Sequence, residues 1–163
     1  MKHEEIPTMT KTVNVTLKVD AKGLYERKYP PTLEEFNMYC SLFDDSERYN
    51  FHREEKLEDY ITEVHPGERV KWAVESKWVE SEYAVEIDSI VYAYRKESEI
   101  NFSKRANFFD LIPLCSENGS TVEGKVKDDI KSDLYHYYWI NFRIYKDGES
   151  HKDYSIDPRL KIQ

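Results

Sequence analysis

Residues 138–162 read Tyr138-Trp-Ile-Asn-Phe-Arg-Ile-Tyr145, a Lys146-Asp147-Gly148 turn, then Tyr154-Ser-Ile-Asp-Pro-Arg-Leu-Lys-Ile162. Aromatic and aliphatic residues alternate with polar ones on both sides of a glycine turn, the pattern of two pleated strands. Upstream, Val64-His-Pro-Gly-Glu-Arg-Val-Lys-Trp72 supplies a turn followed by a strand of the same kind. Pro66 and Gly67 suit the two central positions of a type II turn, with Gly67 at positive φ. Together these segments predict the closing strands of a β-sandwich.

Working outward, Val13, Val15, Leu17 and Val19 alternate with Thr12, Asn14, Thr16 and Lys18, a strict period of two that marks a half-buried strand. Residues 1–10 are polar and unpatterned, and are expected to fray. Tyr29-Pro30-Pro31 breaks the next stretch. Thr32 and Glu35 have the spacing of a capping box that would open a helix with Leu33, Phe36, Cys40 and Phe43 on one face. The competing reading is a strand from Phe36 to Phe43, and it is preferred because the segment is short and lies among strands. Strands resume at residues 60–64 and at Val70, Trp72 and Val74, whose shared face predicts a buried Trp72.

Tyr83, Val85 and Ile87 alternate, and Ile90, Tyr92 and Tyr94 continue the pattern shifted by one, which is how a β-bulge reads in sequence. Residues 96–120 hold polar clusters around Phe108-Phe109-Asp110-Leu111-Ile112-Pro113-Leu114, a connection expected to cross between sheets. Asn118-Gly119 is a turn, Val122–Val126 a short strand and Asp128–Asp133 a charged loop. The sum is an all-β fold, a two-sheet antiparallel sandwich of immunoglobulin or cupredoxin-like architecture with seven to nine strands. A chain of 163 residues suffices for one such domain, taken as 11–163. With 39% hydrophobic residues the core is modest, and 13 Tyr, 7 Phe and 3 Trp make up for scarce aliphatics.

Charge and motif exclude several functions. A net charge of -8 and a pI near 5.2 have the wrong sign for a phosphate backbone or an anionic membrane surface, so neither nucleic acid nor membrane is an expected partner. No run is long and apolar enough to span a bilayer and the start shows no apolar signal region, so a cytoplasmic location is expected. The sequons at Asn14, Asn101 and Asn118 then carry little weight. Cys40 and Cys115 are too few for a disulfide framework and read as two small buried residues. From Asp44 to Asp59 seven acids face three bases, but the spacing and glycine of a calcium loop are missing, so a solvated loop is expected. A cupredoxin copper site needs a Cys, a His and a Met in one late loop. The late hairpin has no Cys or Met, and the five His show no paired spacing for zinc. No cofactor or metal is expected. Gly-x-Ser-x-Gly and a glycine-rich phosphate loop are absent, and Cys115 with His136 is a chance pairing; His136 suits packing or a cross-strand hydrogen bond.

The feature most open to a functional reading is aromatic. On a strand, His136, Tyr138, Ile140, Phe142 and Ile144 share one face and read as core, while Tyr135, Tyr137 and Trp139 share the other. That second face is an inner face, a contact between two copies of the chain, or a ligand platform. Exposed Tyr and Trp among Asp, Asn and Glu suit sugars, whose C–H faces stack on rings while acceptors take hydroxyls; they equally suit a homodimer contact. Pro158 cannot donate to a ladder, so it must lie at an edge or where the strand leaves the sheet. Asp157, held extended before it, either clasps a neighbouring turn or joins Tyr154 as a hydroxyl partner of a sugar.

The order of these segments resembles the AidA/PixA-type bacterial inclusion body proteins. The resemblance rests on Val13-Asn-Val-Thr-Leu-Lys-Val-Asp20, on Gly67-Glu-Arg-Val-Lys-Trp72, and on Tyr138…Phe142-Arg-Ile-Tyr145 with Asp157-Pro158-Arg-Leu-Lys-Ile162. It spans roughly residues 11–162. Ile156 stands where an aromatic is expected before the terminal Asp-Pro, and Glu68 stands in place of Asp. The resemblance implies a soluble, non-enzymatic, intracellular sandwich, often oligomeric, with lectin-like sugar binding among relatives. The alternatives are an accessory or effector subunit of a larger bacterial assembly, or a small-molecule enzyme.

Overall fold

The computed structural model describes residues 11–46, 56–79, 81–93 and 104–163. The stretch expected to fray, much of the acidic segment and Tyr94 lie outside these residues. The strands are β1 (Thr12–Val19), β2 (Cys40–Asp44), β3 (Ile61–Val64), β4 (Arg69–Ser76), β5 (Tyr83–Tyr92), β6 (Leu114–Cys115), β7 (Thr121–Lys125), β8 (Tyr135–Lys146), β9 (Lys152–Ile156) and β10 (Arg159–Ile162). One sheet runs β2-β1-β4-β7 and the other β3-β10-β8-β5-β6, with β9 also paired to β8. Two helices, α1 (Ala21–Tyr25) and α2 (Leu33–Tyr39), lie between β1 and β2.

The expected sandwich is therefore present, with two differences in detail. Among the described residues the strands number ten rather than seven to nine, because β6 has only two residues and the last strand is split. The sheets are not wholly antiparallel: β1 runs parallel to β4, and β10 parallel to β3. Parallel neighbours need a long return connection, and residues 20–68 provide one for the first pair. Val15, Leu17, Val70 and Trp72 from one sheet meet Ile87, Tyr138, Ile140 and Phe142 from the other in a shared core. Trp72 is buried as expected, at 1% exposure. Its ring lies edge-on to Phe109 at 5.8 Å and to Tyr138 at 5.6 Å.

The β5–β8 register shifts between Ile87 and Ser89, so the bulge falls on Asp88. Gly67 has φ +82°, and the Glu68 N–H closes the turn on the His65 carbonyl. The connection from β5 to β7 does cross between the sheets, carrying β6 along β5 on its way.

Three expectations are corrected. The strand expected over Phe36–Phe43 is a helix as far as Tyr39, and only Cys40–Asp44 is strand. The capping box decides it: Thr32 Oγ1 accepts the Glu35 N–H at 3.1 Å and Glu35 Oε1 accepts the Thr32 N–H at 3.0 Å, satisfying two otherwise orphaned donors. Cys40 is buried, and burial, helped by Asp20, pushes its thiol up to about 12, but Cys115 is exposed. On β6, Leu114 leans inward and alternation turns Cys115 outward. Asp44, assigned to a solvated loop, is 1% exposed. Its carboxylate accepts hydrogen bonds from the Ser46 N–H and hydroxyl, Tyr60 and Thr62, which offset the cost of burying its charge. Leu57 and Tyr60 are buried beside that segment too.

Candidate functional site

The last strand is interrupted rather than expelled from its sheet. β9 pairs with Ile140–Ile144 of β8, and β10 pairs with Tyr135–Tyr137 of the same strand. Asp157-Pro158 is the break, opposite Tyr138 and Trp139. The Tyr138 N–H donates to the Pro158 carbonyl at 3.3 Å, so the proline sits where its missing donor is not needed. On the far side, β3 flanks β10 alone. Beyond Asp157, α2 and a single 3-10 turn at Leu57–Asp59 stand where a further strand would run.

Between these elements lies a hollow of about 390 Å³. Its apolar wall comes from Leu33 and Phe36 on α2, Leu57 and Ile156; Trp139, Ser155, Glu58 and Asp157 complete it. A second, shallower hollow of about 410 Å³ lies on the outer sheet face beside the same indole, against Val91, Asn141 and Ser155. Trp139, 38% exposed, is thus the ridge between two depressions.

The face split predicted for β8 holds: His136, Tyr138, Ile140, Phe142 and Ile144 are buried. The outer residues differ among themselves. Tyr135 is half-buried, with the Lys161 ammonium 5.8 Å from its ring centre. Tyr137 is only 5% exposed, because the guanidiniums of Arg105 and Arg159 cover its ring at 5.6 and 5.5 Å. It belongs to a cation–π stack that closes the outer face, not to an open platform. Tyr154 points into the sandwich, 4% exposed, stacked on Phe142 at 5.4 Å and edge-on to Tyr29 and Phe36. Its hydroxyl is buried, so it does not offer a ligand the hydrogen bond expected of it, and that burial pushes its pKa up. Of the five residues expected from sequence, the structure brings Trp139 and Asp157 together on one hollow. Sequence reading missed Leu33, Phe36, Leu57, Glu58, Ser155 and Ile156 as lining residues. The Thr32 capping box was the available signal for the first two.

A polar chain orders the rim. Ser155 Oγ donates to Asn141 Oδ1, Asn141 Nδ2 donates to Ser89 Oγ at 3.0 Å, and Ser89 Oγ donates to Asp88 Oδ2 at 3.0 Å. It begins on β9, crosses β8 and ends on the bulge residue of β5. Arg143 anchors that end, 3.5 Å from Asp88 and 2.7 Å from Asp153. At the other border of the hollow, Asn37 Nδ2 donates to Glu58 Oε2 at 3.0 Å, and Asn37 Oδ1 accepts the Leu57 N–H at 2.8 Å, tying the 3-10 turn to α2.

His136 has a packing role. Its ring lies within 5.0–5.8 Å of Tyr92, Phe108, Phe109 and Tyr138. Nδ1 faces the Phe108 N–H at 3.3 Å and the Ala106 carbonyl at 3.2 Å. Burial drives its pKa down to about 3, against the opposing Ala106 contact and with smaller help from Arg105 and Lys127. The ring is neutral at physiological pH.

Among solved structures the chain matches the PixA-type inclusion body protein of Burkholderia cenocepacia, with a TM-score of 0.60 and 11% identity. The match covers 98% of this chain and 100% of that one, so the two share a fold from end to end. No family model and no curated protein matches the sequence.

Proposed function

We propose, from that shared fold, that the protein is a non-enzymatic binding and assembly protein of the cytoplasm, and that the hollow beside Trp139 takes a sugar. The observation that carries the sugar reading is Trp139 itself. It is a large aromatic on a rigid central strand, open on both sides, next to acceptors on Ser155, Glu58 and Asp157. A pyranose needs an apolar ring face and convergent polar groups, and a pocket with an apolar wall and few polar atoms supplies both. The other polar cluster, around Asp44, is saturated by its own hydrogen bonds, which supports a structural role there rather than catalysis.

Assembly is the second half of the proposal. Leu33, which lines the hollow with Trp139, and Met38 further along α2 both stand exposed and support contact between copies of the chain through this helix. Calorimetric titration of a panel of mono- and disaccharides into wild type and Trp139→Ala tests the sugar half. At least one sugar should bind wild type, with affinity reduced about tenfold or more in the variant. Equal binding by both proteins, or none by either, would contradict it. Sedimentation velocity tests assembly: a wild-type dimer that dissociates in Met38→Asp supports it, and a wild-type monomer at every concentration contradicts it.

A further inference from the structure

We infer that Asn118-Gly119 is a latent modification site: the folded turn holds it shut, and deamidation at Asn118 follows only when that turn lets go. An asparagine followed by glycine is the dipeptide most open to this chemistry, because glycine puts no Cβ beside the nitrogen and lets the peptide rotate. The Gly119 nitrogen gives its proton to solvent hydroxide and bonds to Asn118 Cγ. The Cγ–Nδ2 bond breaks, and ammonia leaves with a proton taken from water. Water then opens the cyclic imide at either carbonyl, leaving aspartate or isoaspartate at position 118. No electrons are transferred. Asn118 is exposed, so water and hydroxide reach it, and the protection lies in conformation.

Both reacting groups are committed elsewhere. The Ser120 and Thr121 N–H groups donate to Asn118 Oδ1 at 2.8 and 2.9 Å, tying the amide to the two residues beyond Gly119. Two donors at one atom also fix which end of the amide is oxygen, and Nδ2 donates to Thr121 Oγ1 at 3.3 Å. The Gly119 N–H donates to Ser116 Oγ at 2.8 Å. Ser116 is itself held: its hydroxyl donates to the Thr121 carbonyl at 2.8 Å and its N–H to the Asp88 carbonyl at 2.8 Å. Attack needs a deprotonated nitrogen aligned within about 3–3.5 Å of Cγ. The bonds on Oδ1 and on the Gly119 N–H must therefore break first.

The glycine is not exchanged cheaply for a safer residue. Gly119 has φ +75°, and a Cβ there would meet the Glu86 side chain at 3.1 Å. Its carbonyl accepts the Ile87 N–H at 2.9 Å, which stitches the turn to β5 beside the bulge. Local opening of this β6–β7 connection is the event that frees the site. Isoaspartate then adds a carbon to the main chain between Asn118 and Gly119, so the turn cannot close in its old register and the opening becomes permanent.

The test incubates the full chain at mildly alkaline pH, folded and in urea, and follows aspartate and isoaspartate at position 118 by peptide mass spectrometry. Folded wild type should convert at least about tenfold more slowly than unfolded wild type. Ser116→Ala removes the acceptor of the Gly119 N–H, and its folded form should convert about threefold or more faster than folded wild type. Ser116→Thr keeps the hydroxyl and should convert at the wild-type rate. In urea all three should convert alike. Equal folded and unfolded rates in wild type overturn the inference, whether or not either variant folds. An unchanged folded rate in Ser116→Ala, or the same acceleration in Ser116→Thr, overturns it too. So does an acceleration fully matched by lost global stability, which would put the gate in unfolding of the whole chain.

Discussion

The indole Nε1–H of Trp72 donates to the Tyr138 hydroxyl at 3.2 Å, joining β4 of one sheet to β8 of the other. Both side chains are buried, and burial raises the Tyr138 pKa, so its hydroxyl stays protonated. Tyr138→Phe leaves the indole donor without its acceptor and should cost about 1–3 kcal/mol. Trp72→Ala also opens a cavity and should cost about 3–5 kcal/mol. Urea denaturation measures both. A loss below about 0.5 kcal/mol for Tyr138→Phe would show that the bond contributes nothing.

Asp44 gathers its donors from Ser46 just past β2, from Tyr60 before β3 and from Thr62 on β3. Asp44→Ala strands the buried Tyr60 and Thr62 hydroxyls and is expected to cost about 3 kcal/mol or more. Denaturation midpoints compare it with Asp45→Ala, whose side chain bonds exposed Asn14 and should matter far less. Equal losses for the two would contradict this role.

His136 makes stability depend on pH with a definite sign. Its folded pKa, about 3, lies below the ordinary 6.5, so between these values the unfolded chain holds a proton that the folded one lacks. The contribution is complete above about pH 6.5 and is lost as pH falls towards 3, on the order of 1 kcal/mol per pH unit. Denaturation of wild type and His136→Phe between those limits checks it; the variant should show a shallower slope. Parallel slopes would mean that another group dominates.

The α2 cap frames the hollow. Thr32→Ala removes one half of the capping box and should lower stability by about 1 kcal/mol. Thermal unfolding reads this directly, and an unchanged midpoint would show that helix packing alone holds α2.

Much of this fold was legible in sequence because it is local. The alternation from Val13 to Val19 and the phase shift at Asp88 both report a backbone of period two, and Gly67 reports its own φ. The helix at α2 was harder, since Phe36, Cys40 and Phe43 fit either a helical face or a short strand, and only the hydrogen bonds of Thr32 and Glu35 choose. Asp44 looked solvated because its partners Tyr60 and Thr62 are distant in sequence. The site divides in the same way. Parity alone put Trp139 on the outer face. The same parity gave no warning that Arg105 and Arg159 would cover Tyr137, or that Leu57 and Glu58 would close on Asp157 from another element.

Fluorine NMR of protein labelled with 5-fluorotryptophan tests the central claim most directly. The chain has three tryptophans, Trp72 in the core, Trp78 exposed in the β4–β5 connection and Trp139 on the hollow, each assignable by a single Trp→Phe variant. On titration with the tightest-binding sugar of the panel, the Trp139 resonance should shift saturably while those of Trp72 and Trp78 stay in place. A saturable shift confined to Trp78, or a Trp139 signal unmoved at saturating sugar, would contradict the account.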